Sequence, residues 1–186
     1  MKNKLPLALA MLSLAACESF PSSTPAAVAS PASAVAFELS TIEANVLGAT
    51  GREVGTVKLQ QAPQGVLMRV ELRAGSLTPG WHGLHLHQVG DCSDTGVYKL
   101  SGGHVGKVEG GHGLLNPHGH EGGDTPNIYA SSNGSAAMET ITSSVTLSEL
   151  ASGDGSALII HAGPDDHVTQ PIGGAGARVA CAVISN

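Results

Sequence analysis

Aromatic residues make up only 3% of this 186-residue sequence: one tryptophan, two tyrosines and two phenylalanines. Positive charge is scarce as well, with 9 Lys and Arg against 15 Asp and Glu, a net charge of −6 and no basic stripe or cluster. That removes the electrostatic footprint a nucleic-acid partner requires. There is no internal repeat, and no convincing helix beyond a turn near Leu147 to Leu150. What is plentiful is Leu, Ile and Val, cut into short pieces by 25 glycines and 10 prolines. Those proportions suit a turn-rich β protein better than a helical bundle.

The first residues carry processing information. Met1 to Lys4 is a short basic region, Leu5 to Ala16 is an apolar stretch too short to cross a bilayer as a finished helix, and Leu14-Ala15-Ala16-Cys17 ends it. This LAAC box resembles the bacterial lipoprotein signal, which implies export, removal of residues 1–16 and a lipid on Cys17 that anchors the chain to a membrane. The cut removes Lys2 and Lys4 and no acid, leaving 7 positive and 15 negative side chains, a net charge of −8. Cys92 and Cys181 then remain as an even pair in an oxidising compartment, where a disulfide forms and persists. Such a bridge is worth about 4 to 5 kcal/mol in the chain-entropy treatment. Residues up to Ser33 form a tether of Ser, Pro, Ala and Thr with too little large apolar surface to fold. The expected organisation is a signal peptide over 1–16, a lipid-anchored tether over 17–33 and one folded domain over 34–186, held in the periplasm or cell envelope.

From Ala34 the pattern becomes alternation. Val35, Phe37 and Leu39 share one face, then Val57 and Leu59, then Val66, Met68, Val70 and Leu72 with Arg69, Glu71 and Arg73 opposite. Breakers at Gly48 to Gly51, Ala62 to Gly65 and Thr78-Pro79-Gly80 divide these runs into antiparallel strands. After Gly90 the alternation stops until about Asn127, and a second irregular segment covers Ala162 to Ala177. Strand patterns occupy Asn127 to Ala130, Ala137 to Leu147, Ala157 to His161 and Arg178 to Ile184. The fold expected is all-β, a sandwich or flattened barrel of about eight antiparallel strands with two long loops. Loops of that length inside a compact domain point to function.

All 9 histidines fall between His82 and His167. In the run WHGLHLHQV, from Trp81 to Val89, His85 and His87 project from one face of an extended strand and Leu84 and Leu86 from the other. Two imidazoles are thus offered to one ion, and neutral imidazole is the commonest transition-metal ligand. His104, His112 and His161 stand at the other places where such a site would gather ligands.

Five segments in this order, HGLHLHQVGDC, GGHVGKVEGGHG, GDTPN, IIHAGPDD and GARVAC, resemble the copper/zinc superoxide dismutases, and among them the exported bacterial branch. The resemblance implies a Greek-key β fold, with copper held by His85, His87, His104 and His161. It implies zinc held by His104 through its second nitrogen, by His112 and by Asp124. The family's third zinc histidine would fall nine residues after the second, where this sequence has Glu121, with His120 one residue earlier. Either side chain binds zinc, so the fourth position is open between them. The family's Phe-Asn-Pro after the bridging histidine is replaced by Val105-Gly106-Lys107. Asp165, four residues after His161, is implied to accept hydrogen bonds from His85 and His112, fixing their tautomers. Gly83 is expected to permit close packing at the ligand strand, and His82, His118 and His167 to be structural or surface residues.

The activity implied is dismutation of superoxide to dioxygen and hydrogen peroxide. His104 is the implied proton carrier and Arg178 the residue that attracts and holds the anion; Lys99 and Lys107 are further steering candidates. The alternative is a non-catalytic envelope protein that binds copper and zinc on the same fold.

Overall fold

In the computed structural model residues 40–186 are described; the leader, Cys17, the tether and the run containing Val35, Phe37 and Leu39 lie outside the described residues. Nine strands form one antiparallel sheet: β1 (Thr41–Gly48), β2 (Glu53–Ala62), β3 (Gly65–Leu72), β4 (Gly80–His82), β5 (Leu84–His87), β6 (Ile128–Ala130), β7 (Ala136–Thr142), β8 (Ser156–His161) and β9 (Arg178–Ile184). Their order is β4-β6-β7-β3-β2-β1-β9-β8-β5. The two ends of that order, β4 and β5, are neighbours in sequence, separated by Gly83 alone. One extended stretch therefore belongs to both edges and curls the sheet into a nearly closed barrel. This replaces the single strand expected over Trp81 to Val89 and brings the count among the described residues to nine.

The alternating runs face as their period requires. Val57 and Leu59 of β2, and Val66, Met68, Val70 and Leu72 of β3, enter one core with Val46, Leu158, Ile160, Ala180 and Ile184. Arg69 and Glu71 point outward. On β9 it is Ala180, Ala182 and Ile184 that enter this core, while Cys181 and Val183 turn to a second cluster with Cys92, Tyr98, Ala157 and Ile159. β8 is buried along its whole length because it lies between the barrel interior and that second cluster. The turn near Leu147 is a short helix, α1 (Leu147–Ala151), opened by a capping box between Thr146 and Glu149.

Cys92 and Cys181 are bonded, with their Cα atoms 5.9 Å apart. The bond fastens the first half of the long loop after β5 to β9. Tyr98, fully buried, reinforces it by donating its hydroxyl hydrogen to the Gly48 carbonyl at 2.6 Å.

Candidate metal centre

β5 pairs with β8 along one side, and its other side is taken by the returning loop: His87 bridges to His104 and His85 to Asp124. The Leu86 N–H donates to Gly123 O at 2.9 Å, and the Leu86 carbonyl accepts from Val105 N–H at 2.9 Å. A Cβ on Gly123 would stand 2.1 Å from the Leu86 oxygen, so only glycine allows this approach. Backbone pairing thus delivers loop ligands to the strand ligands. At Gly83 an added Cβ would meet the Ala175 side chain at 2.8 Å and Asp165 at 3.4 Å, which is the close packing expected there.

His85, His87, His104, His112 and His161 are all buried, none more than 2% exposed. Hydrogen bonds to pure acceptors fix their tautomers. His87 Nδ1 faces Gly102 O at 2.9 Å and His161 Nδ1 faces Gly176 O at 3.0 Å, so each carries its proton on Nδ1 and keeps a lone pair on Nε2. His85 Nε2 faces Asp165 Oδ2 at 2.7 Å, leaving the lone pair on Nδ1. Among the described residues those three lone-pair nitrogens have no hydrogen-bond partner, and neither does Nε2 of His104. Ligand atoms of His85, His87 and His161 lie within 4.8 Å of one another. The His104 ring centre stands 4.3 Å from that of His85 and 5.1 Å from that of His87. Buried imidazole lone pairs without donors are costly unless an ion satisfies them, so this donor set fits a copper ion.

The other side of His104 holds carboxylates. His104 Nδ1 lies 2.8 Å from Glu121 Oε2 and 3.1 Å from Asp124 Oδ1, yet neither contact has hydrogen-bond geometry. His112 Nδ1 lies 2.8 Å from Asp124 Oδ1 while its Nε2 faces Asp165 Oδ1 at 3.2 Å. An imidazole between two carboxylates must place a cation on each line. In the metal-free molecule that cation is a proton: burial disfavours the charge, but the hydrogen bonds to Asp124 and Asp165 outweigh it and raise the His112 pKa to about 10. His85, His104, His112 and Asp124 form the second compact group of ligand atoms, within 4.8 Å of one another. Zinc, tetrahedral and tolerant of mixed nitrogen and oxygen donors, fits these residues.

Asp165, 3% exposed, spans both groups by accepting from His85 and from His112. A residue the sequence did not single out holds it there. The Asn127 amide donates to Asp165 O at 2.8 Å and accepts from Asp165 N–H at 2.9 Å. His167, expected to be a structural or surface residue, donates its backbone N–H to Asp165 Oδ1 at 2.6 Å. His82 is buried against the carbonyls of His161 and Thr78, and His118 and His120 are exposed.

Arg178 opens β9 with its guanidinium folded onto the disulfide-tied loop. It donates to Tyr98 O at 2.6 Å, Ser101 Oγ at 2.9 Å and Gly102 O at 2.8 Å. Half-buried, it lines a cleft of about 210 Å³ with His87, His104, Lys107 and Glu121. Lys99 is exposed and outside that lining. A larger cleft of about 410 Å³ opens beside Leu77, Thr78 and His82, but both His82 nitrogens are already on carbonyl oxygens, so the chemistry belongs to the smaller one.

Residues 53–184 match the family model described as copper/zinc superoxide dismutase (SODC). The chain is 48% identical over 141 residues to a Cu-Zn superoxide dismutase of Caulobacter vibrioides, covering 72% of this chain and 79% of that one. It is 41% identical over 146 residues to that of Photobacterium leiognathi, with 73% and 80% covered. Among solved structures it resembles the Cu/Zn superoxide dismutase of Brucella abortus, with TM-score 0.66, 30% identity, and 78% of this chain and all of that one covered. A SOD-like protein from Bacillus subtilis aligns with TM-score 0.69 at 29% identity, with 76% and 97% covered. The barrel, the gathered histidines and these matches agree: the chain belongs to the copper/zinc superoxide dismutase family.

Proposed function

We propose that His85, His87, His104 and His161 hold copper, that His104, His112 and Asp124 hold zinc, and that Arg178 receives superoxide at the cleft between Lys107 and Glu121. The protein is a superoxide dismutase with copper and zinc as cofactors. The reaction converts two superoxide anions and two protons into dioxygen and hydrogen peroxide. Alternating one-electron oxidation and reduction of superoxide is the chemistry that copper supplies when bound.

The chain's own residues do the rest. Arg178 presents a guanidinium whose donors are anchored by three acceptors, so its charge stands at a fixed place beside His87. A fixed cation attracts and orients a small anion that the net negative molecule would otherwise repel. The proton given to the product would be held at His104 Nε2 when that nitrogen is not on copper; the ring lines the cleft and makes no hydrogen bond through that nitrogen among the described residues. Asp165 keeps the His85 and His112 rings in the tautomers both metals need. The observation that carries the assignment is the set of four buried imidazole nitrogens without partners, on His85, His87, His104 and His161. Superoxide consumption by the metal-loaded protein tests it: His104→Ala should abolish turnover in a folded domain, and retained activity overturns the role of His104.

We also propose that the enzyme works in the cell envelope, lipid-anchored through Cys17 after loss of residues 1–16 and extended from the membrane by the tether to Ser33. The LAAC box supports this, as does a disulfide that persists in oxidising compartments. Cys17→Ser should move the protein from the membrane to the soluble fraction; unchanged partition refutes the anchor.

A further inference from the structure

We infer that Glu121 is the fourth zinc ligand, giving this chain a site of two imidazoles and two carboxylates, and that zinc loading thereby sets the charge of the cleft leading to copper. The inference rests on the proposed zinc assignment of His104, His112 and Asp124.

Glu121 is 3% exposed, and its two oxygens have different tasks. Oε1 accepts from the Val108 N–H at 3.2 Å, while Oε2 lies 2.8 Å from His104 Nδ1 without hydrogen-bond geometry. Asp124 Oδ1 stands 3.1 Å from the same nitrogen and 2.8 Å from His112 Nδ1. Bonds of 2.0 to 2.2 Å in a tetrahedron set neighbouring donor atoms roughly 3.3 to 3.6 Å apart. The three contacts of 2.8 to 3.1 Å are somewhat shorter than that spacing, and they place Glu121 Oε2 against His104 Nδ1 at the edge of the compact group formed by His104, His112 and Asp124.

The competing side chains are otherwise engaged. His120 is exposed, with Nδ1 on the Glu121 carbonyl at 3.0 Å. His85 belongs to the compact group around His104 and His112, but its Nε2 is held by Asp165 and its free Nδ1 is the nitrogen assigned to copper.

The loop is built to present this carboxylate. The Glu121 N–H donates to Asp124 Oδ2 at 3.0 Å, and the Asp124 N–H donates to Glu121 O at 3.1 Å, so the two acids are locked as a unit. The stretch Val105-Gly106-Lys107-Val108 lies directly upon it: Val108 holds Oε1, and a Cβ on Gly106 would meet Gly122 N at 3.1 Å. The two places where this loop departs from the family pattern are thus neighbours in space, joined through the adjoining Val108 and Gly122.

The consequence is electrostatic. Glu121 lines the cleft with Lys107 and Arg178. With zinc bound, the ion's two positive charges balance the two carboxylates. Without it, the divalent charge that offsets these carboxylates is missing beside the path of an anion, in a chain of net charge −6. Copper in this protein should therefore capture anions well only when zinc is present.

The test uses the full-length protein, with Co2+ as a spectroscopic probe of the zinc site and a competing chelator to measure Zn2+ affinity. Glu121→Gln should weaken Zn2+ binding at least tenfold and alter the visible Co2+ bands, whereas His120→Gln should change neither. Glu121→His should restore affinity with a changed Co2+ spectrum, which keeps the test open if Glu121→Gln does not fold. Wild-type affinity and spectrum in Glu121→Gln or an unaltered spectrum in Glu121→His, or loss in His120→Gln, overturns the ligand assignment. Azide titration of the copper-loaded protein at low ionic strength reads the charge: zinc should tighten azide several-fold in the wild type, and equal affinity with and without zinc overturns that part. If the wild type holds both metals but consumes no superoxide, the proposed function fails while the Glu121 result stands on its own measurements.

Discussion

Arg178 and His87 share one acceptor: the Gly102 carbonyl takes Nη2 of the arginine at 2.8 Å and Nδ1 of the histidine at 2.9 Å. The residue that faces the substrate is thereby coupled to the tautomer of a copper ligand, through a loop tied down by the disulfide. Arg178→Gln should lower the second-order rate of superoxide consumption by about tenfold, the low end of electrostatic steering, and flatten its dependence on ionic strength. Copper content should be little changed, because the Gly102 carbonyl still fixes His87. A variant that keeps the wild-type salt dependence would remove Arg178 from substrate capture.

Asp165 serves both metals, and its loss should be felt at both. In Asp165→Asn, His85 and His112 lose the carboxylate that orders their rings, and affinity for each metal should fall by about 10 to 100-fold. Chelator competition for copper and for zinc, measured separately, checks this; a drop for one metal only would show that the bridge is not shared. Asn127→Ala, which removes the clamp on the Asp165 backbone but no ligand, should produce a smaller loss in the same direction.

The Cys92–Cys181 bond closes a separation of 89 residues and also carries Tyr98, Ser101 and Gly102, the three anchors of Arg178. Replacing both cysteines by serine should destabilise the domain by about 2 to 5 kcal/mol, a fall in melting temperature on the order of 10 °C. Activity should decline below the melting range as the arginine loses its seat. Unchanged activity in the folded double variant would mean that Tyr98 and the β9 contacts hold the loop unaided.

Much of this was legible because strand geometry is periodic. His85 and His87 lie two apart, so any extended chain presents them together; Val66, Met68 and Val70 declare a core face in the same way. What periodicity could not show is that Leu84 and Leu86 are buried as well, since that follows from β5 closing the barrel between β8 and the returning loop. The choice between His120 and Glu121 was equally hidden. It depends on where Gly123 pairs with Leu86, a backbone register that residue types in a glycine-rich loop do not encode. The Asn127 side chain binds main-chain groups of Asp165, and Tyr98 and Gly102 act through their own carbonyls, so none of them leaves a pattern of paired side chains. GDTPN was the one signal that touched Asn127, and it pointed to the family, not to the clamp.

The metal-free domain should be most stable near pH 6.5. Burial, with the neighbouring His85 charge, lowers the His161 pKa to about 4 from its ordinary 6.5, and burial with the Arg178 charge holds His87 far below its usual range. Both rings are neutral when folded, whereas the unfolded chain takes up protons as pH falls through 6.5. Stability is therefore lost between pH 6.5 and about 4, by about 3 kcal/mol for His161. Asp124 and Asp165, despite burial, are held below the usual carboxylate range by their histidine partners, and add to the acid limb below 3.8. His112 works in the opposite direction: raised to about 10, it contributes stability that is complete below pH 6.5 and lost as pH climbs toward 10. Zinc on His112 replaces that proton, so loading the metal should remove the alkaline limb and leave the acid one. Thermal melts from pH 4 to 10, with and without zinc, decide the matter; a metal-free profile flat between pH 6.5 and 9 would show that no proton bridges His112 to its carboxylates.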